Sequence, residues 1–240
     1  MHQFETPLNL LQLPNDQSVK GILFDLNGTM IDDMMIHHKA WQKKLAEHGL
    51  DLSLEEVRQT IHGVNEEILE RLFAHKYTVE ERKQIAWEKE AAYREIFKPD
   101  LKLIDGLPAF LASLLHAGFP MAIGTAAPKE NADFVLDELN MRSMFGALIH
   151  AGDVEKGKPN PEVFEKAASG IHLEAKDCLI FEDSPTGAEA AHNAGAPVVI
   201  ITTTHTPEEF AHLPNVVHAM DDYKNIRLEK IGEDWKLNIG

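Results

Sequence analysis

An α/β fold, a parallel sheet with helices on its faces, is predicted by three features of this 240-residue chain. First, short apolar runs alternate with helical stretches, the pattern of βαβ units with right-handed crossovers. Second, the runs at 22–24, 119–124 and 178–181 end on polar or acidic residues, where open α/β sheets place their ligands. Third, residues 36–99 read almost wholly as helix, with no strand candidate, and interrupt the alternation after its first strand.

Ile22-Leu23-Phe24 is the first predicted strand, ended by Asp25 and followed by a turn at Gly28. Residues 34–48 read as a helix that Gly49 ends. Ser53 with Glu56, and Thr78 with Glu81, are capping boxes opening helices to about 61 and 97. Between them His62-Gly63-Val64 breaks the chain, and Asn65 is expected to cap a helix over 66–75. Pro99 closes the block. Helices are then expected at 108–117, 129–139, 161–169 and 187–193, and strands at 119–124, 147–150, 178–181 and 198–201. Residues 216–218 are a weak last strand. The expected organisation is a core domain of residues 1–35 and 100–240, with 1–17 as a loosely ordered lead-in. Residues 36–99 form an inserted helical cap, a lid over the carboxyl edge of the sheet.

Formal net charge is −16, from 23 basic and 39 acidic residues, which argues against nucleic-acid and anionic-membrane partners. A phosphate site here therefore needs local cations or a metal. No stretch approaches the roughly 18–20 apolar residues of a membrane span, and the N-terminus lacks a secretory pattern. The single cysteine, Cys178, sits beside Leu179-Ile180-Phe181 and reads as a core residue. A cytoplasmic monomer is the expectation.

Four strand ends carry the chemistry. The first presents Asp25 and Asn27; the second Thr125, with backbone amides at Ala126 and Ala127. The third is followed by Lys158 in Lys-Gly-Lys-Pro-Asn-Pro, and the fourth ends in Glu182-Asp183 before Ser184-Pro185-Thr186-Gly187. Phosphoryl transfer needs such a set: a nucleophile, a cation pair, donors for the equatorial oxygens and a held leaving group. Asp25 can attack phosphorus, Asp25 and Asp183 offer hard oxygen ligands for Mg²⁺, and Lys158 is a point charge able to bridge nucleophile and phosphate. Taken singly each has another reading: Asp25 as a strand cap, Thr125 as a helix cap, Lys158 as a solvated loop lysine, Glu182-Asp183 as N-cap acids.

Phe-Asp-Leu-Asn-Gly-Thr, Ile-Gly-Thr, Gly-Lys-Pro-Asn-Pro and Phe-Glu-Asp-Ser-Pro-Thr-Gly together resemble the four motifs of the haloacid dehalogenase (HAD) superfamily. Their order and spacing resemble the phosphatase and β-phosphoglucomutase-like branch, with a Rossmann-like core and a helical cap. The resemblance implies that Asp25 is the nucleophile, that Thr125 and the Ala126 amide bind the phosphoryl group, and that Lys158 steadies it. It also implies that Asp183, helped by Glu182, holds Mg²⁺ with Asp25 and the Asn27 carbonyl. His37, Trp41 and Lys89 fall where mutase-like members face the substrate, with packing in the cap core as the other reading of Trp41. The implied substrate is a small phosphorylated metabolite.

Two departures stand out. The family's acid–base Asp, two residues after the nucleophile, is Asn27 here, and an amide cannot shuttle a proton. The cap loop, where mutases place an arginine, offers Glu66 and Glu67, with Arg71 a turn away. Phosphomonoester hydrolysis is thus favoured over a mutase, and Asn27 keeps a catalytically weak phosphometabolite binder as the reading from another class.

Overall fold

The computed structural model describes residues 9–61, 65–73 and 76–240, and the chain divides into two compact units. One unit comprises Met1–Asp32 with Lys102–Gly240, and the other Asp33–Leu101.

The first unit holds the α/β fold. Its six-stranded sheet uses β3 (Gly21–Phe24), β4 (Met121–Gly124), β5 (Ala147–Ile149), β6 (Cys178–Glu182), β7 (Val198–Ile201) and β8 (Val216–Met220). They lie in the order β5-β4-β3-β6-β7-β8, every pair parallel. β3, β4, β6 and β7 are buried along their whole length, which is why they read as continuous apolar runs. Helices α5 (Leu107–Ala117), α6 (Lys129–Glu138), α7 (Glu162–Gly170) and α8 (Pro185–Asn193) connect them. Alternation along the strands divides the core. Leu23, Ala122, Ile180, Val198 and Ile200 pack with Val163, Phe164 and Ala167 of α7 and Ala188, Ala190 and Ala191 of α8. Phe24 and Phe181, partners across β3 and β6, stack at 5.0 Å, with Phe110 and Tyr223 against Phe181.

Two parts of this unit differ from expectation. Residues 9–17 are not a loose lead-in: β1 (Leu11–Gln12) pairs with β2 (Ser18–Val19), and Leu11 and Leu13 are buried. The last expected strand extends to Met220 and is not the last. A hairpin of β9 (Ile226–Ile231) and β10 (Asp234–Ile239) follows, turning at Gly232 with φ +63°. β1 runs parallel to β10, making a second sheet of order β2-β1-β10-β9. Residues 1–8 of the expected lead-in lie outside the described residues.

The second unit is helical: α1 (Met34–Glu47), α2 (Leu54–Thr60), α3 (Asn65–Phe73) and α4 (Val79–Phe97). Both capping boxes form, with Ser53 and Thr78 accepting from the Glu56 and Glu81 amides. Trp41, Leu45, Val57, Ile68, Leu69 and Ile85 make its core. Asn65 is not an external cap, since it begins α3 and its side chain donates to Glu90 at 2.7 Å. The expected break at His62-Gly63-Val64 and the end of the 66–75 helix lie outside the described residues. Among the described residues no helix is long and apolar enough to cross a membrane.

Candidate active site

The order β5-β4-β3-β6-β7-β8 contains a reversal: the chain leaves β3 toward β4 and β5, then returns to β6 on the other side. Beyond the carboxyl ends of β3 and β6 lies the topological switch point, where such sheets open a crevice. Asp25 follows β3, and Glu182 and Asp183 end and follow β6. β3–β6 pairing brings these acids together across more than 150 residues of sequence.

Lys158 enters from the loop after β5. Its Nζ lies 2.6 Å from Asp25 Oδ1, 2.6 Å from Glu182 Oε1 and 4.8 Å from the centre of the Phe164 ring. Its side chain is 8% exposed, so it is not a solvated loop lysine. Glu162 holds the loop, accepting from the Glu155 and Lys156 amides. Glu182 uses both oxygens: Oε1 takes Lys158, and Oε2 takes the Asp183 and Ser184 amides at 2.7 and 2.6 Å. The cap of α8 is Ser184, which accepts from the Gly187 amide, so Glu182-Asp183 are not its N-cap acids.

Burial pushes the Asp25 carboxyl up to about 7; Lys158 pulls it down and Glu182 pushes it further up. Asp183 is raised well above the usual carboxylate range by burial, then by the charges of Glu182 and Asp25. Burial works against the Lys158 charge, but Asp25 and Glu182 outweigh it and hold the ammonium above its usual range. Ligand oxygens of Asp25, Glu182 and Asp183 lie within 4.8 Å of one another. With all three ionised and one ammonium present, two negative charges are left in a buried place. That is a fit for a hard divalent cation. Both Glu182 oxygens are held at 2.6–2.7 Å, whereas Asp183 Oδ1 has only a long 3.4 Å approach from Thr29, which favours Asp25 and Asp183 as the ligating acids and leaves Glu182 to fix Lys158.

Gly28 allows this proximity. Its φ is +73°, and a Cβ there would overlap the Asp183 carboxylate. Asn27 is half-buried, with a parallel bridge to Ile31. Thr125, at the end of β4, is 1% exposed, and its Oγ1 accepts from the Ala127 amide at 3.1 Å. It therefore closes a local turn and does not cap α6, whose N-cap is Pro128. The Ala127 amide, expected to be open, is spent on Thr125, whereas Ala126 is exposed.

Within the helical unit, His37 stacks on Tyr93 with centroids 4.0 Å apart, and its Nδ1 lies 2.9 Å from Lys89 Nζ. The other ring nitrogen, Nε2, faces Asp33 Oδ2 at 3.4 Å. Lys89 is 2% exposed and also donates to Glu90 at 2.8 Å. Trp41, expected among the substrate contacts, is buried in the unit's core with Lys89 Nζ 5.4 Å from its ring. Arg71 donates to the Thr60 carbonyl at 2.8 Å.

Four further residues meet the site. Thr203 Oγ1 donates to the Gly28 carbonyl at 2.5 Å, and Thr204 Oγ1 to Asp183 Oδ2 at 2.5 Å. Thr29 Oγ1 lies 3.4 Å from Asp183 Oδ1, and Tyr223 OH donates to the Thr29 carbonyl at 2.9 Å. The signal for the first two was the Thr202-Thr203-Thr204 run just past an apolar strand, a fifth strand end bearing polar groups.

The family model of haloacid dehalogenase-like hydrolases matches residues 19–195. Validoxylamine A 7'-phosphate phosphatase of Streptomyces hygroscopicus subsp. limoneus is 30% identical over 218 residues, covering 89% of this chain and 98% of that protein. Beta-phosphoglucomutase of Bacillus subtilis is 29% identical over 187 residues, covering 74% and 80%. The solved HAD hydrolase, family IA, variant 3, of Entamoeba histolytica superposes with a TM-score of 0.78 at 27% identity, covering 86% of this chain and 95% of that one. With a Rossmann-like parallel sheet, acids at its switch point and this match over most of its length, the chain is an enzyme belonging to the haloacid dehalogenase-like hydrolases.

Proposed function

We propose that the chain hydrolyses phosphomonoesters of a small phosphorylated metabolite, with Mg²⁺ as cofactor and Asp25 as the transient phosphoryl carrier. The observation that carries this reading is the pairing of Asp25 with Lys158 at 2.6 Å and with Asp183 across the switch point. Asp25 attacks phosphorus; a P–O bond to Asp25 forms as the ester P–O bond breaks, and the leaving group departs as an alkoxide that takes its proton from solvent water. Water then attacks the same phosphorus, releasing its proton to solvent; the P–O bond to Asp25 breaks, inorganic phosphate departs and the Asp25 carboxylate is regenerated. Lys158, held by Glu182, favours the ionised form of Asp25 against its burial and neutralises charge on the transferring group. The Thr125 hydroxyl and Ala126 amide are donors for its equatorial oxygens. Asp25, Asp183 and the Asn27 carbonyl would hold Mg²⁺, which when bound polarises the phosphoryl oxygens and offsets the surplus negative charge of the acids.

The phosphatase among the relatives supports hydrolysis, and the mutase among them supports phosphoryl transfer between sugar hydroxyls as a second reading. Glu66 and Glu67, in the first turn of α3, stand in the region where the resemblance has mutases placing an arginine, which weighs against the second. The binding-only reading gains nothing from relatives that are named enzymes.

A panel of sugar phosphates and p-nitrophenyl phosphate, assayed with and without Mg²⁺, tests the proposal. Turnover should require Mg²⁺ and release inorganic phosphate, and Asp25→Ala should reduce it at least about a thousandfold with an unchanged melting curve. Retention of a few per cent of activity in that variant would exclude Asp25 as the carrier.

A further inference from the structure

Thr203 and Thr204 lie beyond the residues that the family model matches, yet both hydroxyls are committed to the site. They follow β7, which is separated from β3 by β6, and Thr203 nevertheless reaches the Gly28 carbonyl of the loop after β3. Consecutive hydroxyls therefore tie two acid-bearing loops: one to the backbone just past Asp25, the other to Asp183 itself. The Thr204 bond, 2.5 Å from Oγ1 to Oδ2, has the length of a charge-assisted O–H···O⁻ contact. The same Oδ2 is the atom that a Cβ on Gly28 would strike first, so one oxygen of Asp183 is confined between Gly28 and Thr204. The other, Oδ1, has a long 3.4 Å approach from Thr29.

A carboxylate so held presents one oxygen to a cation and cannot chelate with two. Mg²⁺ demands near-ideal octahedral angles and takes carboxylates through one oxygen, whereas Ca²⁺ accepts bidentate carboxylates and irregular shells. We propose that Thr204 is a positioning residue that makes Asp183 a one-oxygen ligand, and so sets both the affinity of the site for Mg²⁺ and its preference over Ca²⁺. This rests on the cation reading of the Asp25–Asp183 pair given above. The bystander is Thr202, whose hydroxyl turns outward to Asp221 at 2.6 Å on the exposed side of the same loop.

Isothermal titration of the full chain with Mg²⁺ and, separately, Ca²⁺ tests this without recourse to activity. Thr204→Val should weaken Mg²⁺ at least about tenfold, as removal of partners to metal ligands does, and weaken Ca²⁺ less, so that the preference falls. Thr204→Ser, which keeps the hydroxyl, should restore both constants to within about twofold. Thr202→Val should bind as the parent does. In turnover assays the Mg²⁺ concentration for half-activation should rise in Thr204→Val, while KM for p-nitrophenyl phosphate at saturating Mg²⁺ stays put. Parent-like Mg²⁺ binding by Thr204→Val, equal losses for the two cations, or an equal loss in Thr202→Val would overturn the assignment. Should Thr204→Val fail to fold, Thr204→Ala carries the same expectations. A parent chain that binds no Mg²⁺ would overturn the cation reading, and this proposal with it.

Discussion

Asn27 sits two residues past Asp25 with an amide where the family resemblance expects a carboxylic acid. In the proposed hydrolysis an amide at this position cannot protonate the leaving group, which then departs as an alkoxide, penalising alkyl phosphates most and aryl phosphates least. Asn27→Asp is expected to raise hydrolysis of alkyl phosphates by at least about tenfold, and of p-nitrophenyl phosphate by less, measured as kcat/KM. Equal or lower activity on both would show that another group moves the proton. In the helical unit the ionisable residue to watch is Glu90. Burial pushes its carboxyl up, but Lys89 and His37, with hydrogen bonds from Lys89 and Asn65, hold it down at about 2 against an ordinary 4.5. Its folded value lies below its unfolded one, so its contribution is complete above about pH 4.5 and drains away as pH falls toward 2. Thermal melts should place Glu90→Gln below the parent at pH 7, by on the order of 3 kcal/mol, with the gap narrowing as pH falls below about 4.5 and closing only below about pH 2. A gap constant with pH would assign the loss to packing.

At the level of elements, what could be read in advance followed from how each one is buried. β3, β4, β6 and β7 are sealed on both faces, so their sequences are unbroken apolar runs that end where the acids and Thr125 begin. The capping boxes were equally plain, because Ser53 and Glu56, or Thr78 and Glu81, meet within one turn. β9 and β10 escaped because Arg227, Glu229 and Lys230 are exposed among their apolar residues, and β1 because it is two residues long. The partner that gives β1 meaning, Trp235 opposite Leu11, lies at the far end of the sequence. The Thr202-Thr203-Thr204 run is visible past its apolar strand, but the targets of Thr203 and Thr204 depend on strand order, which no local pattern encodes. Leu11 tests whether the small second sheet matters. It is fully buried, so Leu11→Ala should cost about 2–5 kcal/mol and lower the melting temperature by roughly 5–15 °C. A shift below about 2 °C would mean that the sheet is dispensable.

Across the whole molecule the net charge of −16 opposes the approach of any phosphorylated substrate, although Lys158 favours it at close range. Screening should relieve the first effect more than the second, since the Debye length is about 30 Å at 0.01 M salt and about 8 Å at 0.15 M. kcat/KM is therefore expected to rise a few-fold between those concentrations, at constant Mg²⁺. A monotonic fall would mean that local cations dominate even at a distance. The pairing of β1 with β10 bears on time as well as space. A ribosome adding about 5–20 residues per second delivers Leu11 roughly 10–45 s before the Trp235 that it must meet. β3 also emerges early, and its neighbours β4 and β6 come about 100 and 155 residues later. The helices of 33–101, which make a compact unit of their own, are free to form during that interval. During synthesis the strand that delivers Asp25 is thus the longest-waiting apolar segment of the sheet, and the segment most in need of shelter by a chaperone until its partners arrive.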